Sequence, residues 1–284
     1  MLKLSVFTVM LPDLTPDEAA PLLKESGHDG VEWRVTQVPA ERQREAPSFW
    51  GNNLCTFGPT LAEAERAKAV SDSAGLAIAG LGTYISVGDL AATENAMRMA
   101  RTCGAEKVRI SPGSWPGDLS YHESFKRAQT FLDGAQALAQ QYGVKAVVEI
   151  HHRTIVPSAS LAYRLVSDFD PDWIGVIHDA GNMVYEGFED YRLGIELLGP
   201  FLAHVHIKNA RYARPPEGGV WRGEWSPLED GVVDWEALFT ALRDTGYDGW
   251  LGLEDFSQAR PTRDALRYNI AFLRDAIDRV YGGG

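Results

Sequence analysis

The chain alternates between short apolar runs and longer amphipathic stretches along its 284 residues. Apolar side chains in the amphipathic stretches recur every three or four positions, as Leu266, Ile270 and Leu273 do, and this spacing is typical of helices. The predicted helices span residues 16–25, 60–74, 90–102, 122–141, 158–168, 188–198, 234–245 and 262–281. A strand-like apolar run follows within a few residues of most of them, so we predict eight strand–helix units.

The boundaries of these units carry the expected local signals. Thr15-Pro16 opens the first helix with a capping residue and a proline at the first helical position. Glycines stand where a left-handed residue commonly ends a helix, at Gly27, Gly75, Gly104, Gly143, Gly199 and Gly246.

The repeated order of strand and helix indicates an α/β protein. Eight such units predict a closed (β/α)₈ TIM barrel, and the absence of linker-like composition predicts one domain over residues 1–284. A doubly wound open sheet is the alternative fold. It is disfavoured because the first predicted strand is not followed by a glycine-rich dinucleotide loop.

Composition narrows the classes of partner. A net charge of −12 repels phosphate backbones, so we expect no nucleic-acid partner. We expect no membrane association, because no apolar run has the length of a membrane span. The first residues lack a signal-peptide pattern, so a cytoplasmic protein is expected. Two cysteines are too few for a disulfide framework, and homo-oligomerisation is left open.

Four side chains of metal-ligand type lie near the ends of the fifth to eighth predicted strands. They are Glu149, Asp179, His206 and Glu254. Parallel barrel strands bring these ends to one mouth. Singly, Glu149 could pair with an arginine and Asp179 could form a turn, but four convergent groups would repel one another without a cation. We therefore predict one divalent metal ion, with Mn²⁺ or Mg²⁺ favoured by the oxygen-rich set and Co²⁺ or Zn²⁺ left open.

The two-residue period of a strand orients the neighbouring side chains. It directs His204, His206 and Lys208 into the barrel, places His151 on the same face as Glu149, and turns His178 away. His204 is expected to be a hydrogen-bonded core histidine, because it lies one layer below the mouth. Lys208 is predicted either to contact substrate or to be a buried ion-pair member.

Other candidates lie around this mouth. We predict substrate contacts from His151, Asn182 and Lys208. Aromatic side chains in the loops could cover a substrate or merely pack the long loop 209–233: Trp115, Trp221 and Trp225. Glu32 and Arg34 are expected to pair near the barrel floor, outside the site.

The motifs around these positions resemble the xylose isomerase-like TIM barrels, the sugar phosphate isomerase/epimerase family that includes D-tagatose 3-epimerase and inosose dehydratase relatives. The resemblance begins at the G-x-D-G-V-E of residues 27–32. Its most specific segments are 148–151, 178–183, 204–208 and 246–254. It implies that Glu149, Asp179, His206 and Glu254 bind one divalent metal, and that Glu149 and Glu254 also act as catalytic acid and base.

The resemblance implies a metal-dependent isomerase or epimerase of a ketose or keto-sugar, which abstracts a proton beside a carbonyl and passes through a stabilised enediolate. The alternatives are a lyase or dehydratase acting on a keto-sugar, keto-inositol or keto-glycoside, and a non-enzymatic sugar-binding protein. Three positions depart from the epimerase pattern: Asn182 replaces a histidine, Ile155 replaces a second glutamate, and Asn209 replaces an aspartate. An endonuclease is disfavoured because seven histidines and an acidic surface suit neither a zinc cluster nor a basic groove.

Overall fold

The computed structural model describes residues 2–282 and contains a closed parallel barrel. The strands are β1 (Lys3–Phe7), β2 (Gly30–Val35), β3 (Thr56–Phe57), β4 (Ala77–Thr83), β5 (Lys107–Ile110), β6 (Lys145–Glu149), β7 (Ile174–Asp179), β8 (Leu202–Ile207), β9 (Asn209–Ala213), β10 (Arg222–Ser226) and β11 (Trp250–Leu253). Eight of them form the barrel, and β3, β9 and β10 do not. Parallel pairing of β1 with both β2 and β11 closes the ring. The predicted TIM barrel is confirmed.

Helices cover the outside of this barrel. They are α1 (Pro16–Ser26), α2 (Leu61–Ala74), α3 (Leu90–Cys103), α4 (Tyr121–Tyr142), α5 (Ala159–Val166), α6 (Ala180–Glu186), α7 (Tyr191–Leu198), α8 (Trp235–Asp244) and α9 (Thr262–Tyr281). Eight of them match the predicted helices within a few residues, and in α9 the side chains of Leu266, Ile270 and Leu273 are buried as expected. Among residues 2–282, none of these helices has the length and apolar character needed to cross a membrane.

The helix ends follow the sequence signals with one exception. Glu18 accepts a hydrogen bond from the Thr15 N–H at 2.9 Å, so α1 begins where predicted. Gly27, Gly75, Gly104 and Gly143 adopt the left-handed conformation. The expectation for Gly199 is wrong: its φ of 49° and ψ of −120° lie outside that region, because the chain turns there directly into a short 3₁₀ segment.

Two segments contain elements that the sequence analysis did not predict, a helix after β7 and a hairpin within the predicted loop 209–233. Helix α6 follows β7 directly, and the Asp179 carboxylate begins it by accepting the Asn182 N–H at 2.8 Å. The segment 209–233 contains an antiparallel hairpin of β9 and β10, with Ser226 opposite Asn209. Neither element has a long run of periodic apolar residues, because α6 has only seven residues and the hairpin strands mix polar, charged, small and aromatic side chains.

A glycine makes room for the two histidines of β8. Gly252 on β11 pairs with His206 in the parallel register. A Cβ atom at position 252 would lie 2.6 Å from Nε2 of His204 and 3.1 Å from Cδ2 of His206. Both rings are buried, so neither can move aside at low cost.

Gly252→Ala should therefore destabilise the barrel by about 1–3 kcal/mol, the usual range for overpacking a core. The measurement is the free energy of unfolding from urea titration. Gly58→Ala is the matched control, because a Cβ there would meet only Glu63 Cγ at 3.6 Å. An equal loss in both variants would contradict the packing argument.

Candidate active site

Four buried side chains converge at the carboxyl end of the barrel. Glu149 ends β6, Asp179 ends β7, His206 lies on β8, and Glu254 follows β11. Because β7 and β8 are neighbours in register, Asp179 lies directly beside His206. The four ligand-type atoms all lie within 4.8 Å of one another. The structure thus brings together the four residues that the sequence selected.

This arrangement suits a divalent cation. Oxygen ligands that share one ion at about 2.0–2.6 Å can be no more than about 5 Å apart, which the cluster satisfies. Oδ2 of Asp179 is buried and accepts no well-aligned hydrogen bond within the described chain. His206 Nδ1 faces Glu149 Oε1 at 3.2 Å and Asp179 Oδ2 at 3.6 Å, so a nitrogen and three carboxylates point at one small volume.

Lys208 provides the first internal countercharge. Its Nζ lies 2.9 Å from Asp179 Oδ2, donates to Glu254 Oε2, and lies 3.8 Å from Glu149 Oε1. Burial alone would lower the pKa of Lys208, but the Asp179 and Glu254 carboxylates raise it above its ordinary value. Of the two predicted roles, ion pairing is therefore present in this structure, and Lys208 also lines the cavity beside the cluster.

Arg109 provides the second countercharge and was missed by the sequence reasoning. Its Nη1 donates to Glu149 Oε2 at 2.6 Å. Burial raises the pKa of Glu149, but Arg109 and His206 outweigh it and hold that pKa well below its usual range. The pKa of Glu254 is instead raised, chiefly by burial. A strand reading Val108-Arg109-Ile110, with one inward charge between two apolar side chains, was the available signal.

Asn182 lies behind Glu149 and does not line the cavity. Its Nδ2 donates to Glu149 Oε1 and to the Ile150 carbonyl, both at 3.1 Å, and its Oδ1 is 3.0 Å from His152 Nδ1. The side chain is fully buried. These contacts position the Glu149 carboxylate, whereas the predicted substrate contact would need an exposed amide.

Glu32 corrects the sequence-based interpretation. It does not pair with Arg34, which donates instead to Thr56 and Tyr84. Oε2 of Glu32 lies 3.0 Å from His206 Nε2 and 3.5 Å from His204 Nε2. The alternation of β2 and β8 directs these side chains at one another across the barrel interior, and no local sequence pattern encodes that contact.

The other strand-orientation predictions agree with the structure. His204 is buried beneath His206 as predicted, but its expected hydrogen bonding is not found, because both ring nitrogens lack hydrogen bonds in the described chain. His178 points outward to the Tyr191 ring, at a centroid distance of 6.5 Å.

A cavity of about 510 Å³ opens beside the cluster. Glu149, Glu254, His151 and Lys208 border it, and Asp179 and His206 lie beneath its floor. Three aromatic side chains form one wall: Trp50, Trp225 and Phe256. Of the predicted loop tryptophans, Trp225 therefore lines the cavity, whereas Trp115 and Trp221 do not.

The chain belongs to the xylose isomerase-like TIM barrel family, whose sequence model matches residues 21–276. This agrees with the closed barrel and with the resemblance inferred from the motifs.

Known proteins with a similar sequence or fold have named activities or ligands. An inosose dehydratase of Lacticaseibacillus casei is 27% identical over 157 residues, which are 51% of this chain and 52% of that protein, so the chain spans about half the length of this relative. The Escherichia coli 3-keto-D-glucoside 4-epimerase shares the fold with a TM-score of 0.73 and 18% identity, over 97% of this chain and 100% of that one. The IolI protein with bound zinc has a TM-score of 0.77 and 16% identity, over 99% of both chains.

His206→Ala should weaken binding of a divalent ion far more than His204→Ala, because His206 Nδ1 faces the three carboxylates and His204 lies beneath it. Calorimetric titration with Mn²⁺ would measure both affinities. Saturating Mn²⁺ should also raise the melting temperature of the wild-type protein. At a free Mn²⁺ concentration of about a hundred times Kd, binding adds about 2.7 kcal/mol to the free energy of unfolding. Equal affinities in the two variants would show that the wrong histidine has been assigned.

Proposed function

We propose that the protein is a divalent-metal-dependent isomerase or epimerase of a ketose or keto-sugar, with Mn²⁺ or Mg²⁺ as the ion. The observation that carries this proposal is the pair of carboxylates, Glu149 and Glu254, that reach one cavity from different strands within a cluster suited to a cation. Glu149, Asp179, His206 and Glu254 would hold the ion. The substrate would be a small molecule in the cavity above them.

The chemistry follows from the position of these groups. A divalent ion at this cluster would polarise a substrate carbonyl and stabilise the negative charge that develops on proton loss. Glu149 is held ionised by Arg109 and is suited to take a proton from the carbon beside the carbonyl. Glu254, with its raised pKa, is suited to return a proton from another side of the cavity. Return to the same carbon gives epimerisation, and return to the neighbouring carbon gives isomerisation.

Other groups assist this proton transfer. Asn182 fixes Glu149 through Oε1, and Lys208 holds Glu254 through Oε2. His151 borders the cavity and is proposed to contact a substrate hydroxyl. The aromatic wall would limit water access to the reacting carbon.

A lyase is the second candidate, and similarity to an inosose dehydratase over half of the chain favours it. The same proton abstraction leads to elimination when a hydroxyl or glycosidic oxygen lies one carbon further away. The two reactions differ in product mass: an isomerase gives a product isomeric with its substrate, and a lyase gives one lighter by the leaving group.

Glu149→Gln and Glu254→Gln should each reduce turnover by about 10²–10⁴-fold, the usual contribution of general acid–base catalysis. The measurement is deuterium incorporation by the Mn²⁺-loaded protein in heavy water, with a panel of keto-sugars, keto-inositols and keto-glycosides analysed by mass spectrometry. Glu196→Gln, an exposed substitution on α7, is the control and should retain full activity.

Three outcomes of this experiment bear on the proposal. Near-normal turnover in both glutamine variants at saturating metal would contradict the proton-transfer roles. A product that has lost water or an aglycone would replace the isomerase with the lyase. Sugar binding without deuterium uptake across the whole panel would favour a binding protein.

A further inference from the structure

We infer that the substrate is an uncharged sugar or polyol ketone, and that phosphorylated sugars are excluded; this inference rests on the proposed function. Within residues 2–282, two lysine or arginine side chains line the cavity, Arg109 and Lys208. Cationic donors that can turn toward it give the strongest recognition of a phosphate or carboxylate. Neither of these two side chains is free to do so.

Arg109 is held in place by three hydrogen bonds and two aromatic rings. Nη1 donates to Glu149, while Nε and Nη2 both donate to the Thr83 carbonyl at 3.3 and 3.2 Å. The guanidinium also lies 5.0 Å from the ring centroids of both Phe7 and Tyr84. Turning toward an anion would break three hydrogen bonds and leave Glu149 buried without its cation.

The site already holds more acidic than basic side chains. Glu32, Glu149, Asp179 and Glu254 face only Arg109 and Lys208 among the lysines and arginines that contact these carboxylates within residues 2–282. One divalent ion would offset this excess, with Nδ1 of His206 as one of its ligands. A phosphate ester would bring about −1.5 to −2 further charges that nothing in the cavity wall neutralises.

The loops after β8 and β11, where TIM barrels often bind phosphate, are also unsuited to it. Arg211 pairs with Glu224 and Asp230, and Arg260 pairs with Glu229 at 2.6 Å. The other arginines of these loops, Arg214 and Arg222, are exposed and do not line the cavity. Acidic side chains therefore accompany the cations in this region.

The aromatic wall supplies the complementary surface. Phe256 contacts Trp50 and Trp225, with ring centroids 5.0 and 5.7 Å apart. Such a surface receives the apolar C–H face of a sugar ring, while hydroxyls reach polar groups elsewhere in the cavity lining, including Ser111, Thr154 and His151. This combination selects for a neutral polyhydroxylated ring.

The test compares matched ligands on the Mn²⁺-loaded wild-type protein, with free Mn²⁺ buffered because phosphate esters bind it. The pairs are D-fructose and D-tagatose with their terminal phosphate esters, and a keto-inositol is added. Affinity is measured by calorimetry up to about 10 mM, above common KM values, and deuterium uptake is followed in parallel. At least one neutral ligand should bind. If that ligand is a sugar whose phosphate ester is also tested, the ester should bind at least tenfold more weakly.

A paired substitution tests the aromatic wall. Trp225→Ala should weaken binding of the neutral sugar about tenfold. Trp221→Ala, on the same hairpin but outside the cavity and 60% exposed, should leave that affinity unchanged.

The outcomes separate this inference from the proposed function. Tighter binding of a phosphate ester, or no binding by any neutral ligand, overturns the inference; deuterium uptake from the ester would leave the proposed function intact. Neutral binding without deuterium uptake supports the inference and contradicts the proposed function.

A second inference rests on a different contact: we propose that Glu32 is a positioning residue for His206. When Nδ1 of His206 binds an ion through its lone pair, the ring hydrogen lies on Nε2, and Glu32 Oε2 is 3.0 Å away to accept it. The other ring nitrogen, Nδ1, then faces Glu149, Asp179 and Glu254. The Phe7 ring stacks on the imidazole at 6.0 Å and fixes its plane. Glu32 thus orients the ring for metal binding without contacting the ion.

Glu32→Ala should weaken Mn²⁺ affinity by about 10–100-fold, the usual effect of removing such a partner. Glu32→Gln should weaken it less, because the amide oxygen can still accept from Nε2. Glu106→Gln removes a charge at the opposite end of the barrel and should leave the affinity unchanged. Nitrogen NMR of labelled histidine with Mg²⁺ should show the hydrogen of His206 on Nε2.

Unchanged metal affinity in folded Glu32→Ala would overturn this assignment. So would a stoichiometry of two ions per chain, since Glu32, His204 and His206 would then form a metal site of their own.

Discussion

The mutual repulsion of buried carboxylates governs this end of the barrel. Glu149, Asp179 and Glu254 meet in a volume from which water is almost excluded, and Glu32 lies just beneath them. An isolated charge in such a place costs several kcal/mol unless it is paired. Four polar side chains around the cluster point at its carboxylate oxygens: Arg109, Lys208, His206 and Asn182.

The two internal cations, Arg109 and Lys208, differ in their position relative to the cavity. Arg109 is fixed by three hydrogen bonds and two aromatic rings, so it serves as a permanent countercharge for Glu149. Lys208 lies on the cavity side, where its Nζ is also 5.1 Å from the Trp225 ring and 5.3 Å from the Phe256 ring. These two rings add favourable cation–π contacts to the ion pairs that hold Lys208 beside Asp179 and Glu254.

The sequence predicts well what depends on strand alternation and strand ends. The barrel, the helix order and the convergence of Glu149, Asp179, His206 and Glu254 all follow from those two rules. Contacts across the barrel interior are not local: Glu32 meets His206 from 174 positions away, and Arg109 meets Glu149 from 40. The contact of Asn182 with Glu149 could not be predicted either, because helix α6, which carries Asn182, is too short for its apolar pattern to be recognised.

The β9–β10 hairpin has an evolutionary consequence. It leaves the barrel immediately after Lys208 and returns Trp225 to the cavity, with its register fixed at Ser226 and Asn209. The four clustered side chains, Glu149, Asp179, His206 and Glu254, belong to the barrel or its immediate ends, while this part of the cavity wall belongs to the hairpin. Insertions or deletions near residues 214–221, most of which are exposed, can reshape the wall without moving a single carboxylate. The shape of the cavity can therefore change during evolution while the cluster of Glu149, Asp179, His206 and Glu254 stays unchanged.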